Sequence, residues 1–339
     1  MQKNGAWRIK EKDYHTFKTD YERIIFLLQY GMLAPSMHNT QPWSITLKGN
    51  RITFSDMKGR RLPVGDYDMR GYFFSIGCFI ENMTIAGNTF KWDIQKPSIA
   101  DKHVSISCRK VSRSKSRKTP NLSLEGIFLR KTNRSRYLNR KVASKALSFI
   151  NRAQEEDVST HMISGEKKDH LAEIIADGSH RALSKKAFRK ELSEWMISGR
   201  SSRTTGMPMS SFNFHPFLAY FVPRILPFFS KAGIKAGRAD FEMVKNYTPS
   251  ILILSSKRDT SRDWLNTGKL FQRISVYAAK NKLYCHPLYG AIYDKKLRKK
   301  VSDEYCNGRF PQFISRIGYP FEDRPHTPRD NVQEHLVNN

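Results

Sequence analysis

Apolar residues recur at helical spacing near the start of the chain, over residues 21 to 34, and this periodicity predicts a helix with one apolar face. Residues 43–47 and 51–54 are two short β-rich runs on either side of a Gly-Asn turn, so together they predict a hairpin. A second helix is predicted over about 68–88, where small residues among the apolar ones allow another backbone to approach closely. We therefore expect this second helix to lie centrally. Further strands are expected around residues 92–94 and 103–107.

The second part of the chain repeats this alternation of helical and strand-like patterns. Its predicted elements are helices over residues 122–130, 146–153, 171–176, 188–196 and 263–280 and strands over 158–163, 250–254, 283–288 and 313–318. Helices grouped around mostly antiparallel sheets predict the α+β class. The basic run at 109–119, followed by Pro120, is the most plausible internal boundary. We therefore divide the chain into an N-terminal half, 1–119, and a C-terminal half, 120–339.

Residues 199–240 do not follow this alternation. They contain the most apolar stretch of the chain, residues 214–229, which three prolines and an arginine interrupt. This stretch is too broken to be a membrane span, which needs about 20 consecutive apolar residues. We predict a lid or a cover between the two halves, and a membrane-surface patch is the alternative.

The formal net charge of +28 is the most unusual feature of the composition, and it suggests a nucleic-acid partner. The basic residues, however, are spread along nearly the whole chain. The densest cluster, residues 109–118, has no interleaved aromatic side chain on which a base would stack. We therefore interpret that cluster as a solvated linker and expect no nucleic-acid partner. The charge still favours anionic ligands in general, including phosphates.

The four cysteines are widely spaced and include no C-x-x-C pair, a pattern that fits a reducing compartment. It argues against both a disulfide framework and a structural zinc site, so no metal ligands are assigned. The first eight residues lack the apolar core of a secretory signal. We expect a cytoplasmic protein.

Residues 34–43, with the sequence APSMHNTQPW, connect the first helix to the hairpin. Six of these ten residues carry a side chain that can donate or accept a hydrogen bond, and two prolines stiffen the backbone. A rigid polar loop at the end of a helix suits the edge of a flat heteroaromatic ligand. The alternative is a connector whose Ser, Asn and Thr side chains satisfy only their own backbone, and local chemistry alone favours this alternative.

Taken in order, several motifs resemble the flavin-binding nitroreductase superfamily and, within it, the Acg-type proteins. The similarity covers most of the chain, roughly from Ile24 to Arg329. The matching segments are P-S-x-x-N-x-Q-P-W at 35–43, R-L-P-V-x-D-x-D-x-R at 61–70, S-x-G-x-x-x-E-N at 75–82, R-x-T-x-R at 130–134, W-L-x-x-G at 264–268 and F-P-Q-x-x-x-R-I-G-Y at 310–319.

The order of the motifs has an implication of its own. Ordinary nitroreductases are homodimers that bind flavin mononucleotide (FMN) at their interface, between the R-x-S-x-R signature of one subunit and the P-S-x-x-N loop of the other. Here the loop lies in the first half of the chain and the signature in the second. The resemblance therefore implies a nitroreductase-like fold made of two fused halves, a pseudo-dimer with one FMN site per chain. Whether this unit is a monomer or forms a homodimer is left open.

The resemblance also implies roles for individual residues. The arginines of the signature would bind the FMN phosphate together with a threonine hydroxyl and a late arginine, although surface arginines are the alternative in so basic a chain. The loop would line the isoalloxazine ring or the ribityl chain, and the strand end at 285–288 would pass near the ring through its backbone. Gln41 is assigned to the site with holding the loop as its alternative role. The predicted cofactor-binding residues are Pro35, Ser36, Met37, Asn39, Gln41, Arg130, Thr132, Arg134, Pro287, Leu288 and Arg329.

An FMN-dependent oxidoreductase is the function that the resemblance implies. Electrons would pass from NAD(P)H to a small-molecule acceptor, such as a nitroaromatic compound or a quinone, by ping-pong hydride exchange at the flavin N5. Because the cofactor carries this chemistry, we assign no catalytic side chain. The alternative is an FMN-sequestering protein whose flavin is covered by the lid at 199–240. The family's Asp-Gly-x-Pro sequence in that lid is replaced here by Thr205-Gly206-Met207-Pro208.

Overall fold

The structure is a computed structural model, and it describes residues 5–111, 122–198, 201–212 and 216–337. The predicted boundary between residues 119 and 120 and most of the basic run lie outside the described residues. No helix in the described part of the chain is long and apolar enough to cross a membrane.

The N-terminal half consists of an antiparallel sheet and two long helices. Its helices are α1 (Asp20–Met32) and α2 (Arg70–Phe90), and its strands are β1 (Trp43–Lys48), β2 (Arg51–Asp56), β3 (Trp92–Ile94), β4 (Ser98–Ala100) and β5 (His103–Lys110). The sheet has the order β1-β2-β5-β3, and β4 pairs with β5. Thr19 and Glu22 form a capping box at the start of α1, which fixes the point where this helix begins.

The C-terminal half contains a second antiparallel sheet, of order β10-β11-β9-β6, and a two-stranded parallel pair, β7-β8. Its strands are β6 (Val158–Ile163), β7 (Met196–Ile197), β8 (Met207–Pro208), β9 (Ser250–Ser256), β10 (Tyr284–Pro287) and β11 (Phe310–Gly318). Its helices are α3 (Leu124–Leu129), α4 (Ser144–Arg152), α5 (Glu166–Ser184), α6 (Lys186–Glu194), α7 (Pro216–Ile225), α8 (Ala232–Tyr247), α9 (Ser261–Lys280), α10 (Gly290–Tyr293) and α11 (Lys295–Tyr305). Short 3₁₀ turns occur at Gly5–Trp7, Glu11–Thr16, Met37–Asn39, Met209–Ser211, Leu226–Phe228 and Val332–Glu334.

The two halves meet along α2 and α9, and small residues make this close contact possible. A side chain at Gly77 would overlap the backbone of Leu265, and one at Gly268 would overlap the backbone of Phe74. Beside this crossing, Arg273 of α9 forms a two-pronged ion pair with Glu81 of α2, at 2.7 and 3.0 Å. The main core cluster takes side chains from both halves. The α+β prediction and the central position of α2 are therefore confirmed.

The predicted lid, residues 199–240, divides into parts with different contacts. Strand β8 pairs with β7, while α8 begins inside the segment, extends beyond it and packs against α5. Gly233 and Gly237 of α8 lie directly against the backbone of α5 at His180 and Ala176. The division of the chain into two halves and a lid stays a prediction.

Candidate functional site

The loop at residues 35–43 has an unusual backbone. His38, Asn39 and Gln41 all have φ between 50° and 57°, in the left-handed region that residues other than glycine rarely adopt. Each such residue costs about 1–3 kcal/mol, and such residues cluster at functional sites. The Ser36 hydroxyl accepts a hydrogen bond from the Gln41 backbone N–H at 2.9 Å, which closes the loop on itself. The prolines indicated a stiff loop, but this local conformation was not predicted.

The amide side chains of the loop hold distant segments in place. Asn39 Nδ2 donates to the carbonyl oxygens of Thr204, Gly206 and Pro328, each at 3.1 Å. Gln41 Nε2 donates to the Thr204 carbonyl at 3.0 Å, and Gln41 Oε1 accepts from the Asp330 N–H at 2.9 Å. Both amides therefore join the loop to residues 204–206 and 328–330. This geometry agrees with the alternative role of Gln41, which was to hold the loop.

The R-x-T-x-R segment lies beside strand β10. Thr132 forms a parallel bridge with Cys285, and the Asn133 N–H donates to the Cys285 carbonyl at 3.3 Å. The structure thus brings the signature of the second half next to the predicted strand end at 285–288. These two contacts set the path of the R-x-T-x-R segment along β10.

One cavity of about 300 Å³ combines residues of the loop, the signature and the strand end. This volume is at the lower end of the range found for small-molecule sites. Its walls are mostly apolar, and the rings of Phe74 and Phe313 are stacked there with centroids 4.8 Å apart. The predicted site residues that line it are Pro35, Ser36, Met37, Thr132, Arg134 and Pro287. The predicted residues Asn39, Gln41, Arg130, Leu288 and Arg329 are buried outside its lining.

Arg130 and Arg329 form a buried positive pair. Burial lowers the pKa of Arg130 to about 10, and burial followed by the charge of Arg130 lowers the pKa of Arg329 to about 9. Arg329 donates to Asn39 Oδ1 at 2.6 Å and to the Ala34 carbonyl at 3.2 Å. Arg130 Nε has no hydrogen-bond partner among the residues that the structure describes. Neither guanidinium forms an ion pair with a carboxylate in the described part of the chain.

His326 lies in the same positive environment as Arg130 and Arg329. Its pKa falls to about 4, first because it is buried and then because of the charges of Arg130, Lys131 and Arg329. The ring of Trp7 packs against it at a centroid distance of 4.3 Å and lies 5.6 Å from the Arg329 guanidinium. Trp7 and His326 thus cover the arginine pair, a contact that the sequence did not predict.

Arg134 and Arg316 form a second positive cluster, and the buried histidines His38 and His286 lie beside them. Burial lowers the pKa of Arg134 to about 10, and Arg316 adds to this effect. The Arg134 guanidinium stacks on Phe212 at 4.8 Å, and Arg134 Nη1 has no hydrogen-bond partner within the described ranges. Arg130 and Arg134, which were predicted to share one phosphate, therefore occupy two different environments, and Arg134 alone of the two faces the cavity.

The histidines beside this second cluster are uncharged at neutral pH. The pKa of His38 falls to about 4 because of burial and then the charge of Arg134. Burial and Arg316 hold the pKa of His286 well below its usual value, and His286 Nδ1 accepts a hydrogen bond from Arg316 Nη2 at 2.7 Å. Arg316 was missed as a site residue because only its place in the motif at 310–319 pointed to it.

Arg70, which lines the same cavity, is an arginine whose charge is balanced by a carboxylate. Asp259 accepts two hydrogen bonds from its guanidinium, at 2.7 and 3.0 Å, and Gln312 accepts another. The Arg70 side chain also stacks on Trp264 at 4.6 Å. Arg130, Arg134 and Arg329 differ from Arg70 in that they form no direct ion pair with a carboxylate among the described residues, although the charge of Asp330 acts on Arg329.

This chain is similar to two named proteins along nearly its whole length. No family model matches the chain. Two proteins of Mycobacterium tuberculosis, named "Putative NAD(P)H nitroreductase MT3217" and "Putative NAD(P)H nitroreductase Rv3131", are each 22% identical over 329 residues, which cover 94% of this chain and 92% of theirs.

Two solved structures align with a smaller part of the chain. A nitroreductase with bound FMN from Bacteroides fragilis is 10% identical, covers 61% of this chain and 92% of its own, and has a TM-score of 0.37. The FMN- and NADPH-dependent nitroreductase NfnB from sphigopyxis sp. strain HMH is 19% identical, covers 62% and 95%, and has a TM-score of 0.39. The nitroreductase-superfamily resemblance predicted from the motifs is confirmed by the two mycobacterial relatives across 94% of the chain.

Proposed function

We propose that this chain binds FMN between its two halves and acts as an oxidoreductase of nitroreductase type, with NAD(P)H as electron donor and a small molecule as acceptor. The observation that carries the proposal is a set of buried arginines that form no ion pair with a carboxylate among the described residues. Arg134 lines the cavity shared by both halves, and Arg130 and Arg329 are buried outside its lining. The names of the two mycobacterial relatives support it.

A phosphate fits the Arg130–Arg329 pair. Burying a guanidinium without an anion costs several kcal/mol, roughly, so two such groups side by side indicate a charge supplied by a ligand. Arg130 Nε has no acceptor among the described residues, and a phosphate oxygen would accept from it. We assign the FMN phosphate to this pair, with Trp7 and His326 shielding it from water.

A flat ring system fits the cavity. Pro35, Met37 and Pro287 give it apolar walls, while the Thr132 hydroxyl and the Arg134 guanidinium supply donors for a polar edge. When bound, FMN would supply the hydride chemistry. The positive charges of Arg134 and Arg316 favour a ligand that gains electron density at this edge. Neither His38 nor His286 carries a proton to donate as an imidazolium at neutral pH. We therefore assign placement and electrostatics to the protein and no acid or base.

FMN sequestration is the second candidate function, and one group of contacts favours it. The Thr204–Gly206 segment is held on the loop by hydrogen bonds from Asn39 and Gln41 and by one from the Gly206 N–H to the Asn39 carbonyl at 3.1 Å. Met207 and Phe212, which follow in sequence, line the cavity beside Arg134. A segment held in this way would slow the entry of a nicotinamide or an acceptor.

Spectroscopy of the purified protein tests both candidates. We expect flavin absorbance bands, either as purified or after addition of FMN to the flavin-free protein. In an anaerobic stopped-flow measurement, rapid bleaching by NADPH and recovery on adding a quinone or a nitroaromatic compound support the reductase. A bound flavin that NADPH does not bleach supports sequestration. A protein that neither carries nor takes up FMN overturns both candidates.

A further inference from the structure

An apolar patch covers the end of α7 and the start of α8, far along the chain from the motifs of the cavity. Tyr220, Phe221, Ile225, Phe228 and Ile234 are all exposed, and we call this set the docking patch. The Phe228 and Ile234 side chains expose 77% and 61% of their surface. Such a concentration of large apolar side chains on the surface marks a site of interaction.

Helix α8 is amphipathic in a way that leaves one face for a partner. Its Gly233 and Gly237 pack against α5, whereas Ile234, Lys235 and Arg238 are exposed. The side of α8 that carries the two glycines is therefore covered by α5. The opposite side exposes one apolar residue together with two basic ones. An apolar side chain beside basic ones suits the boundary between anionic headgroups and acyl chains.

The charge around the docking patch has a single sign over a long stretch. Residues 195–239 contain no Asp or Glu and six Lys or Arg. Arg224 lies over the ring of Tyr220 at 4.1 Å, and Lys235 lies over Phe229 at 5.2 Å, so their charged groups remain beside the apolar surface. Lys231 and Lys235 form no ion pair with another described residue, whereas Arg238 is paired with Glu242 at 3.2 Å.

We propose that the docking patch binds the surface of a bilayer that contains anionic phospholipids. Exposed aromatic and aliphatic side chains would enter the interface, and Arg224, Lys231 and Lys235 would face the headgroups. The charge disfavours a second copy of this chain as the occupant, because a two-fold contact would place the same basic residues against each other. Helix α7, which carries part of the docking patch, contacts the turn Met209–Ser211, and this turn lies between the cavity-lining residues Met207 and Phe212.

Sedimentation of the full-length protein with lipid vesicles tests the proposal. We expect binding to vesicles of phosphatidylcholine mixed with phosphatidylglycerol and little binding to phosphatidylcholine alone. Phe228→Ser should lower the partition coefficient about tenfold, since it removes one interfacial aromatic ring. The matched control is Phe321→Ser, which removes a ring that is 70% exposed elsewhere and should leave binding unchanged.

Two double charge-reversal variants distinguish binding through the docking patch from adsorption by the overall charge of the protein. Lys231→Glu with Lys235→Glu should weaken binding about fivefold or more for each residue. Lys295→Glu with Lys296→Glu makes the same change in net charge on exposed residues of α11 and should weaken binding much less. Circular dichroism melting of each variant verifies that it is folded.

Three results would overturn the proposal. The first is no sedimentation with the anionic vesicles. The second is an equal loss of vesicle binding in a test variant and its control. That result would show that the overall charge of +28 adsorbs the protein to the vesicles without a specific surface. The third is a dimer in analytical ultracentrifugation that Phe228→Ser converts to a monomer, which would show that a second copy covers the docking patch.

Discussion

The Arg329 guanidinium donates a hydrogen bond to the side-chain oxygen of Asn39 at 2.6 Å, although the two residues are 290 positions apart in the sequence. This bond joins the loop of the first half to the last predicted phosphate ligand. The same Asn39 side chain donates to Thr204 and Gly206. The Thr204–Gly206 segment and the Arg130–Arg329 pair are therefore connected through the side-chain amide of Asn39.

The first prediction concerns Asn39. Asn39→Ala should remove the Asn39 donor from the carbonyls of Thr204 and Gly206, and the Thr204 carbonyl would keep its bond from Gln41 Nε2, so the segment around them should open more often. We expect faster trypsin cleavage after Arg203, an exposed residue directly before that segment, and a free energy of unfolding lowered by about 1–3 kcal/mol. Limited proteolysis and urea denaturation measure these effects.

The exposed Asn246 provides the control for that experiment. Asn246→Ala should change neither the cleavage rate after Arg203 nor the stability by more than about 0.5 kcal/mol. If Asn39→Ala behaved like Asn246→Ala, the bonds from Asn39 would not hold the segment in solution.

The second prediction concerns the uncompensated charge of Arg130. Arg130→Met should abolish FMN binding, yet the flavin-free protein should keep its stability or gain about 1–3 kcal/mol, because it removes a buried charge that forms no ion pair with a described carboxylate. Isothermal titration with FMN and urea denaturation of the flavin-free protein measure the two effects. A loss of FMN binding together with unchanged or increased stability distinguishes a ligand-binding arginine from one that supports the fold.

Arg238, which is exposed on α8, is the matched control for Arg130. Arg238→Met should change both FMN affinity and stability very little. A variant Arg130→Met that lost several kcal/mol of stability without FMN would contradict the prediction, as would one that kept full FMN affinity.

The third prediction is a pH dependence to which His38 contributes. Its pKa is about 4 in the folded protein, below the unperturbed value of 6.5, so the unfolded chain binds the proton more readily between these values. The free energy of unfolding of the flavin-free protein should therefore fall as the pH is lowered from about 6.5 toward 4, with His38 contributing up to about 1.4 kcal/mol per pH unit. Urea denaturation across this range measures the slope.

His38→Asn should reduce that slope, since asparagine does not titrate and tolerates the left-handed backbone at this position. The comparison variant is His15→Gln, at an exposed histidine. An unchanged slope in His38→Asn would show that His38 titrates normally in the folded protein.

The fourth prediction concerns the contact between the two halves. Gly77→Ala should destabilise the protein by about 1–3 kcal/mol or more, because its new methyl group would overlap the carbonyl of Leu265 and push α2 away from α9. Thr84→Ala, at a half-buried position of α2, should cost less. Thermal denaturation that gave equal losses for both would contradict the close α2–α9 contact.

Much of the fold was predictable where the apolar pattern was strong. Helices α1, α2 and α9 and the fully buried strand β9 have continuous or periodic apolar residues, and the structure has them where the pattern predicts them. Helix α11 was missed because it is rich in lysine and buries few apolar side chains, notably Leu297 and Val301. Strand β4, three residues long, is too short to produce a pattern.

The site was predictable only in part, for a different reason. The motifs identified the loop, Arg130, Arg134 and Arg329, since their spacing is visible along the chain. The pairing of Arg130 with Arg329 and the bond between Arg316 and His286 depend on neighbours that only the fold brings together. The sequence also gave no sign that Asn39 would use its amide on protein carbonyls.

The composite FMN site is the central claim, and its stoichiometry tests it most directly. Flavin-free protein should be titrated with FMN while the quenching of flavin fluorescence is followed. We predict saturation at one FMN per chain, with binding lost in Arg130→Met and kept in Arg238→Met. Saturation at two FMN per chain, or no saturable binding at all, would contradict the account.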